Sequence, residues 1–334
     1  EAYNKFIELV PEPLEGWYGK GVVLYKMGRY EEALTEFARY LKKNSNDKLG
    51  WNYLGLCFYC LRNYYSAVEA YDKALSLDIQ DKQIWINKGL ALTNWKKYEE
   101  ALSAFEKALS LDPGERQAIA DKGYVLSLMN RHEEAIECFK KALEIKPDDY
   151  ITWNDMGLSN YYLGRDEEAV KCYDKAIELN PNMKVFWYNK GLALSELIKY
   201  AEAVEAFKKG LALDSRDKNL WKHLGIAYHE LKELEKALEC FDKASAIDPT
   251  DKTILNYKGL VLSDMGRHED AIALYDSALG VGNKEKDKAS LTPAGGNSAE
   301  GQTAEQNKQD NKPAGGQVSD QSQLEDEQTK NEKK

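Results

Sequence analysis

Eight glycines recur in this chain at one unbroken interval: Gly21, Gly55, Gly89, Gly123, Gly157, Gly191, Gly225 and Gly259. With the glycine at i, the next stands at i+34, and an alanine always stands at i+12, from Ala33 and Ala67 through to Ala271. A single globular core needs no such ruler, whereas a stack of similar small units does. The beat therefore predicts a repeat protein, whose functional surface is long and shared between units rather than gathered into one pocket.

The stretch 150–183 shows what one unit is. Trp153, Met156, Gly157 and Leu163, then Val170, Tyr173, Ala176 and Ile177, recur at helical spacing in two blocks. Gly164 separates the blocks, as Gly28, Asn130 and Gly266 do elsewhere, and such residues suit the left-handed turn that closes a helix. Acidic pairs (Glu31–Glu32, Glu99–Glu100, Glu133–Glu134, Glu167–Glu168) open the second block, where a helix dipole is positive. Pro113, Pro147, Pro181 and Pro249 stop it, because proline lacks the N–H that a helix interior requires. Each unit reads as helix–turn–helix. Glycine on the first helix and alanine on the second let the two approach closely. Trp17, Trp51, Trp85, Trp153, Trp187 and Trp221, with the aromatic found at i+16 in every unit, are expected to fill the core. Asn160 stands where other repeats hold Leu24, Phe58 or Leu92, and is expected to find its hydrogen bonds locally.

The ordered pattern W-x-x-x-G, A, F/Y, A, P within each unit resembles the tetratricopeptide repeat over residues 14–283. The wording WINKGLAL at 85–92 and WYNKGLAL at 187–194 is similar to long arrays of methanogenic archaea. The resemblance implies an all-α, right-handed superhelical solenoid of eight repeats. It also implies that the first helices line a concave groove that holds peptides or partner segments. On those helices the slots three before, one after and four after the glycine share a face. With the slot two before the glycine, they nominate Tyr18, Tyr25, Tyr53, Tyr59, Asn87, Tyr124, Asn154, Tyr161, Tyr188, Asn189, His223 and His229 as groove residues. Tyrosine offers broad contact with a hydrogen-bonding tip, which suits peptide recognition. Chaperone-binding members of the family carry asparagine just after the glycine. Here that slot holds Val22, Leu56, Leu90, Tyr124, Leu158, Leu192, Ile226 and Leu260, so that clamp is absent.

The two ends depart from the beat. Residues 1–13, EAYNKFIELVPEP, align without gaps to KCYDKAIELNPNM at 171–183 and read as the remnant of a preceding repeat's second helix. Its Phe6, Ile7 and Leu9 would invite self-association, since solenoid ends need polar caps. Residues 284–334 have no aromatic residue, few aliphatics and two Pro-Ala-Gly-Gly copies, and are expected to be a disordered low-complexity tail.

Several function classes fit poorly. A formal net charge of −10 disfavours nucleic acid and anionic membranes as partners. No stretch approaches the roughly 18 apolar residues of a membrane span. The five cysteines read as free thiols in a reducing, cytoplasmic compartment, and the Cys57–Cys60 pair lacks the second ligand pair of a zinc site. His132 and His268 take a turn slot filled elsewhere by tyrosine and read as packing residues. No nucleophile triad, carboxylate dyad or phosphate loop stands out from the repeat, so no catalysis and no cofactor or metal is expected. The expectation is a non-catalytic scaffold for protein or peptide partners. The alternatives are a homo-oligomer assembled through repeat ends, or the interaction segment of an enzyme whose catalytic part lies elsewhere.

Overall fold

The computed structural model describes residues 14–280, so the remnant helix at 1–13 and the tail at 284–334 lie outside the described residues. Among the described residues there are sixteen helices and no strand, arranged as eight pairs. They are α1 Leu14–Lys26 and α2 Tyr30–Lys43, α3 Lys48–Cys60 and α4 Tyr64–Leu77, α5 Lys82–Asn94 and α6 Tyr98–Leu111, and α7 Arg116–Leu128 and α8 His132–Ile145. The second half holds α9 Tyr150–Tyr162 and α10 Asp166–Leu179, α11 Lys184–Glu196 and α12 Tyr200–Leu213, α13 Lys218–Glu230 and α14 Leu234–Ile247, and α15 Lys252–Asp264 and α16 His268–Leu279. The chain divides after Pro147 into two compact units of four pairs each. Within each unit every helix packs on the next, and the first helices of neighbouring repeats also touch.

The ruler glycine has a specific task. A Cβ at Gly55 would stand 2.5 Å from Cε1 of Tyr71, and one at Gly89 would stand 2.6 Å from Cε1 of Phe105. The same collision recurs in all eight repeats, always with the aromatic at i+16 of that repeat's second helix. The ring therefore lies directly on the first-helix backbone. Phe37, Tyr71, Phe105, Tyr173, Phe207 and Phe241 are completely buried there. Burying such a ring contributes about 1.5–3 kcal/mol, more than the ~1 kcal/mol that a mid-helix glycine costs. Packing wins over propensity.

The tryptophans correct the sequence reading. They are half-buried rather than core, and four of them use the indole N–H to tie down the preceding turn. Nε1 of Trp51, Trp85, Trp187 and Trp221 donates to the carbonyls of Ser45, Ile79, Pro181 and Ser215, at 2.8–2.9 Å. Asn160 is buried and satisfied within its own helix, Nδ2 donating to the Met156 carbonyl at 2.9 Å.

Helix ends follow two recipes. Asp47, Asp81, Asp149, Asp217 and Asp251 cap first helices by accepting backbone N–H groups. Most second helices have no side-chain cap and rely on acidic first turns. The turn inside each pair needs one left-handed residue. Gly28, Gly164 and Gly266 supply it without strain, but Ile198 adopts it at φ 60° while 73% exposed. A β-branched residue there is strained by about 1–2 kcal/mol.

Both features bear on measured stability. Gly89→Ala should lower the urea midpoint, because overpacking against Phe105, about 1–3 kcal/mol, outweighs the helix-propensity gain. Ile198→Gly should raise the midpoint, with a stabilisation of up to about 1 kcal/mol after the chain entropy of glycine is deducted. An unchanged or raised midpoint for Gly89→Ala contradicts the ring-on-glycine account.

Candidate functional site

The structure sorts the nominated groove residues into two groups. Tyr18, Tyr59, Tyr124, Tyr161 and Tyr188 are half-buried and keep ring surface open. Tyr25, Tyr53, Asn87, Asn154, Asn189, His223 and His229 are buried. Most of their partners stand on the first helix of a neighbouring repeat.

The pairing obeys a single rule: the residue at i meets the one at i+35. The glycine beat runs i, i+34, so the extra step is the stagger between neighbouring first helices. In the first unit, Asn87 Nδ2 donates to Asn52 Oδ1 at 2.9 Å, and Gln83 Nε2 donates to Asn87 Oδ1 at 3.2 Å. The Tyr18 and Tyr53 rings meet edge to face with centroids 5.9 Å apart. In the second unit, Asn189 Nδ2 donates to Asn154 Oδ1 at 2.9 Å, and Tyr188 meets His223 edge to face at 5.5 Å. Here the slot three before the glycine joins the slot two before the next.

A second row joins the slot four after the glycine to the slot five after the next. Asn94 Nδ2 donates to the Tyr59 hydroxyl at 3.0 Å, and Tyr25 is hydrogen-bonded to Cys60. The Tyr161 hydroxyl donates to Glu196 Oε1 at 3.3 Å, and His229 Nε2 lies 2.7 Å from Asp264 Oδ2. A buried amide left without a partner loses about 1–3 kcal/mol, so these rows set the register between repeats. Burial pushes the Tyr25, Tyr161 and Tyr188 phenols well above their usual range, which keeps them neutral.

Ion pairs reinforce the junctions. Lys48, Lys82, Lys184 and Lys218 each open a first helix and span two carboxylates: Asp78 and Asp81, Asp112 and Glu115, Asp214 and Asp217, Asp248 and Asp251, at 2.5–3.0 Å. The recurring D-x-x-D/E-K/R in the sequence carries this signal. Asn94, Glu196 and Asp264 were findable only by comparing positions at i and i+35 rather than at i and i+34.

The cysteines are free thiols. Burial pushes Cys172 and Cys240 up to about 12, and Cys57 higher still, so they pack as thiols. Among the described residues no group of three His, Cys, Asp or Glu side chains is placed to hold a metal, and no helix is long and apolar enough to cross a membrane.

This geometry is that of a family. The chain belongs to the tetratricopeptide repeat family, which matches it at residues 1–48, 18–82, 83–115, 117–149, 150–183, 185–217 and 219–251. Fold and family together define a protein-interaction scaffold. YrrB, described as a TPR protein with an unusual peptide-binding site, is 28% identical over 57% of this chain and 98% of its own, with a TM-score of 0.50. The C-terminal part of a TPR repeat-containing protein from Cytophaga hutchinsonii is 18% identical, covering 72% of this chain and 98% of its own, with a TM-score of 0.58. PilF of Pseudomonas aeruginosa is 22% identical over 62% of this chain and 97% of its own, at 0.52. The last two bear on the fold alone. No curated protein matches the chain.

His223 yields a prediction. It is buried beside Lys222 and against the Tyr188 and Phe207 rings, and its Nε2 has no hydrogen-bond partner. Burial first, and Lys222 second, hold its pKa well below the usual value. The unfolded chain takes up a proton near pH 6.5 and the folded one does not. The stability held by neutral His223 is therefore complete above about pH 6.5 and is lost as pH falls below it, by up to ~1.4 kcal/mol per unit. Urea midpoints between pH 7.5 and 5.5 should fall more steeply for the wild type than for His223→Phe. Parallel curves contradict this.

Proposed function

We propose that the chain is a non-catalytic scaffold that holds extended segments of partner proteins against the first-helix faces of its repeats. The observation carrying this reading is the row of half-buried tyrosines, two of them tied to the neighbouring repeat through the hydroxyl. Fixed rings present contact surface with little entropy left to lose on binding. The buried amides take a supporting part: they hold the register and leave the tyrosines to touch the partner. The peptide-binding site named for YrrB is consistent with this use of the fold.

The test uses a phage-displayed random peptide library panned on the full chain. Selected peptides should lose at least about tenfold in affinity, roughly 1.4 kcal/mol, when Tyr18, Tyr59 and Tyr124 are replaced together by alanine, with helicity by circular dichroism unchanged. Equal affinity for the triple variant contradicts the groove reading.

A second reading is favoured by the last pair of helices. Ile272 is 53% exposed where Val68, Leu102, Ile136 and Val204 are buried, and Leu279 is 73% exposed where Leu41, Leu75, Leu143 and Leu211 are buried. His268, read from sequence as a packing residue, is exposed here, whereas His132 is buried. Exposed apolar side chains of this kind on the last described pair support self-assembly. Sedimentation velocity of the full chain should then show concentration-dependent association that Ile272→Glu abolishes; one monomeric species at every concentration contradicts it.

A further inference from the structure

Two clefts of the same build lie one repeat apart in the second unit, each facing the slots four before, one before and three after the ruler glycine. None of the nominated groove residues lines either. The cleft on α11 and α12, about 400 Å³, sets Lys190 and Lys209 against Glu202 and Glu205. The cleft between α12, α13 and α14, about 460 Å³, sets Lys208, Lys236 and Lys243 against Glu239 alone. In a chain of formal net charge −10 the second cleft is lined by an excess of positive charge. Lys236 stands at a slot that holds an acid in six other repeats and Ser66 in the seventh. A lysine at the Lys208 slot recurs at Lys140, but there Asn160 and Glu168 stand in place of Tyr228 and Lys236.

The three ammonium groups form two poles. Lys208 and Lys236 lie 5.8 and 5.4 Å from the centre of the Tyr228 ring, and Lys243 lies 4.5 Å from that of Trp221. Trp221 and Tyr228 both stand on α13, with Leu224 between them on the cleft floor. Two helical turns separate the rings, so the poles stand roughly 10 Å apart along the helix. Each lysine also meets a carboxylate three or four residues away: Glu205 on Lys208 at 3.0 Å, Glu239 on Lys243 at 2.7 Å, and Glu233 on Lys236. The three lysine side chains remain 47–60% exposed. Exposed pairs of this spacing contribute little and exchange readily with an incoming carboxylate.

Two positive poles with an apolar floor between them call for a ligand with the complementary order: carboxylate, apolar group, carboxylate. An extended chain with three residues per turn carries residues i and i+3 on one face, about 9.3 Å apart. That spacing matches the poles. We propose that this cleft binds an extended acidic segment of a partner protein. Its carboxylates at i and i+3 lie on the Lys208–Lys236 pole and on Lys243, and an apolar side chain between them covers Leu224. The cleft is thus a second recognition site, independent of the first-helix groove and selective for acidic chain.

A phage-displayed random peptide library panned on the full chain at low salt tests this. Clones that still bind the variant carrying Lys208→Gln, Lys236→Gln and Lys243→Gln are discarded. The clones that remain should carry two acidic residues three apart with an apolar residue between them. They should bind the Tyr161→Ala, Tyr188→Ala double variant as tightly as the wild type. In synthetic copies, changing either acid to its amide should weaken binding roughly tenfold. One of these changes should cost nothing further on Lys243→Gln, and the other nothing further on Lys208→Gln with Lys236→Gln, circular dichroism being unchanged in every variant. The proposal is overturned if no clone distinguishes the wild type from the triple variant, if the clones lack the paired acids, or if the losses simply add. Clones that fail on the tyrosine double variant overturn it as well, because they place the segment in the groove.

Discussion

Everything in this fold hangs on an aromatic ring lying on bare backbone. The second-helix ring closes against the ruler glycine in each repeat, and no side chain larger than hydrogen leaves room for it. That contact sets how near the two helices of a pair stand. Because it is made eight times with the same spacing, each pair offers its neighbour the same slots at the same depth. A regular stack needs such uniformity, since each repeat is stabilised by its neighbours rather than by one common core.

Uniform slots make the i to i+35 pairing possible. Positions nominated as a binding face, Asn87 and Asn189 among them, turn out to carry the stack's register. Asn87 and Asn189 spend their amide hydrogens on Asn52 and Asn154. They resemble ligand-holding residues in sequence but are already partnered across the repeat junction. The tyrosines differ because a phenol has two ends: Tyr59 and Tyr161 bond through the hydroxyl and keep part of the ring open. A surface whose side chains are fixed before a partner arrives loses less entropy on binding. The bonds that hold the stack therefore serve stability, and under the proposed function they serve recognition as well.

Much of the architecture was legible because the causes are local and recur. Pairing of helices, turn positions, proline stops and the ring positions follow from period, chirality and helix chemistry. The tryptophans were misjudged because a large apolar side chain at a fixed beat looks like core; the indole N–H bonded to the turn is what holds Trp51 or Trp221 near the surface. Burial of Tyr25, His223 and His229 was not legible at all. It depends on what stands one repeat and one residue further on, and a comparison made strictly on the glycine beat looks at the wrong neighbour.

The central claim is that buried side chains at i and i+35 hold one repeat in register with the next. A double-mutant cycle on Asn52 and Asn87 measures this directly, with unfolding followed in urea for the wild type, Asn52→Ala, Asn87→Ala and the double variant. The account predicts that each single change destabilises by about 1–3 kcal/mol and that the double change costs clearly less than their sum, with a coupling of at least about 1 kcal/mol. Additive effects, with coupling indistinguishable from zero, would contradict it.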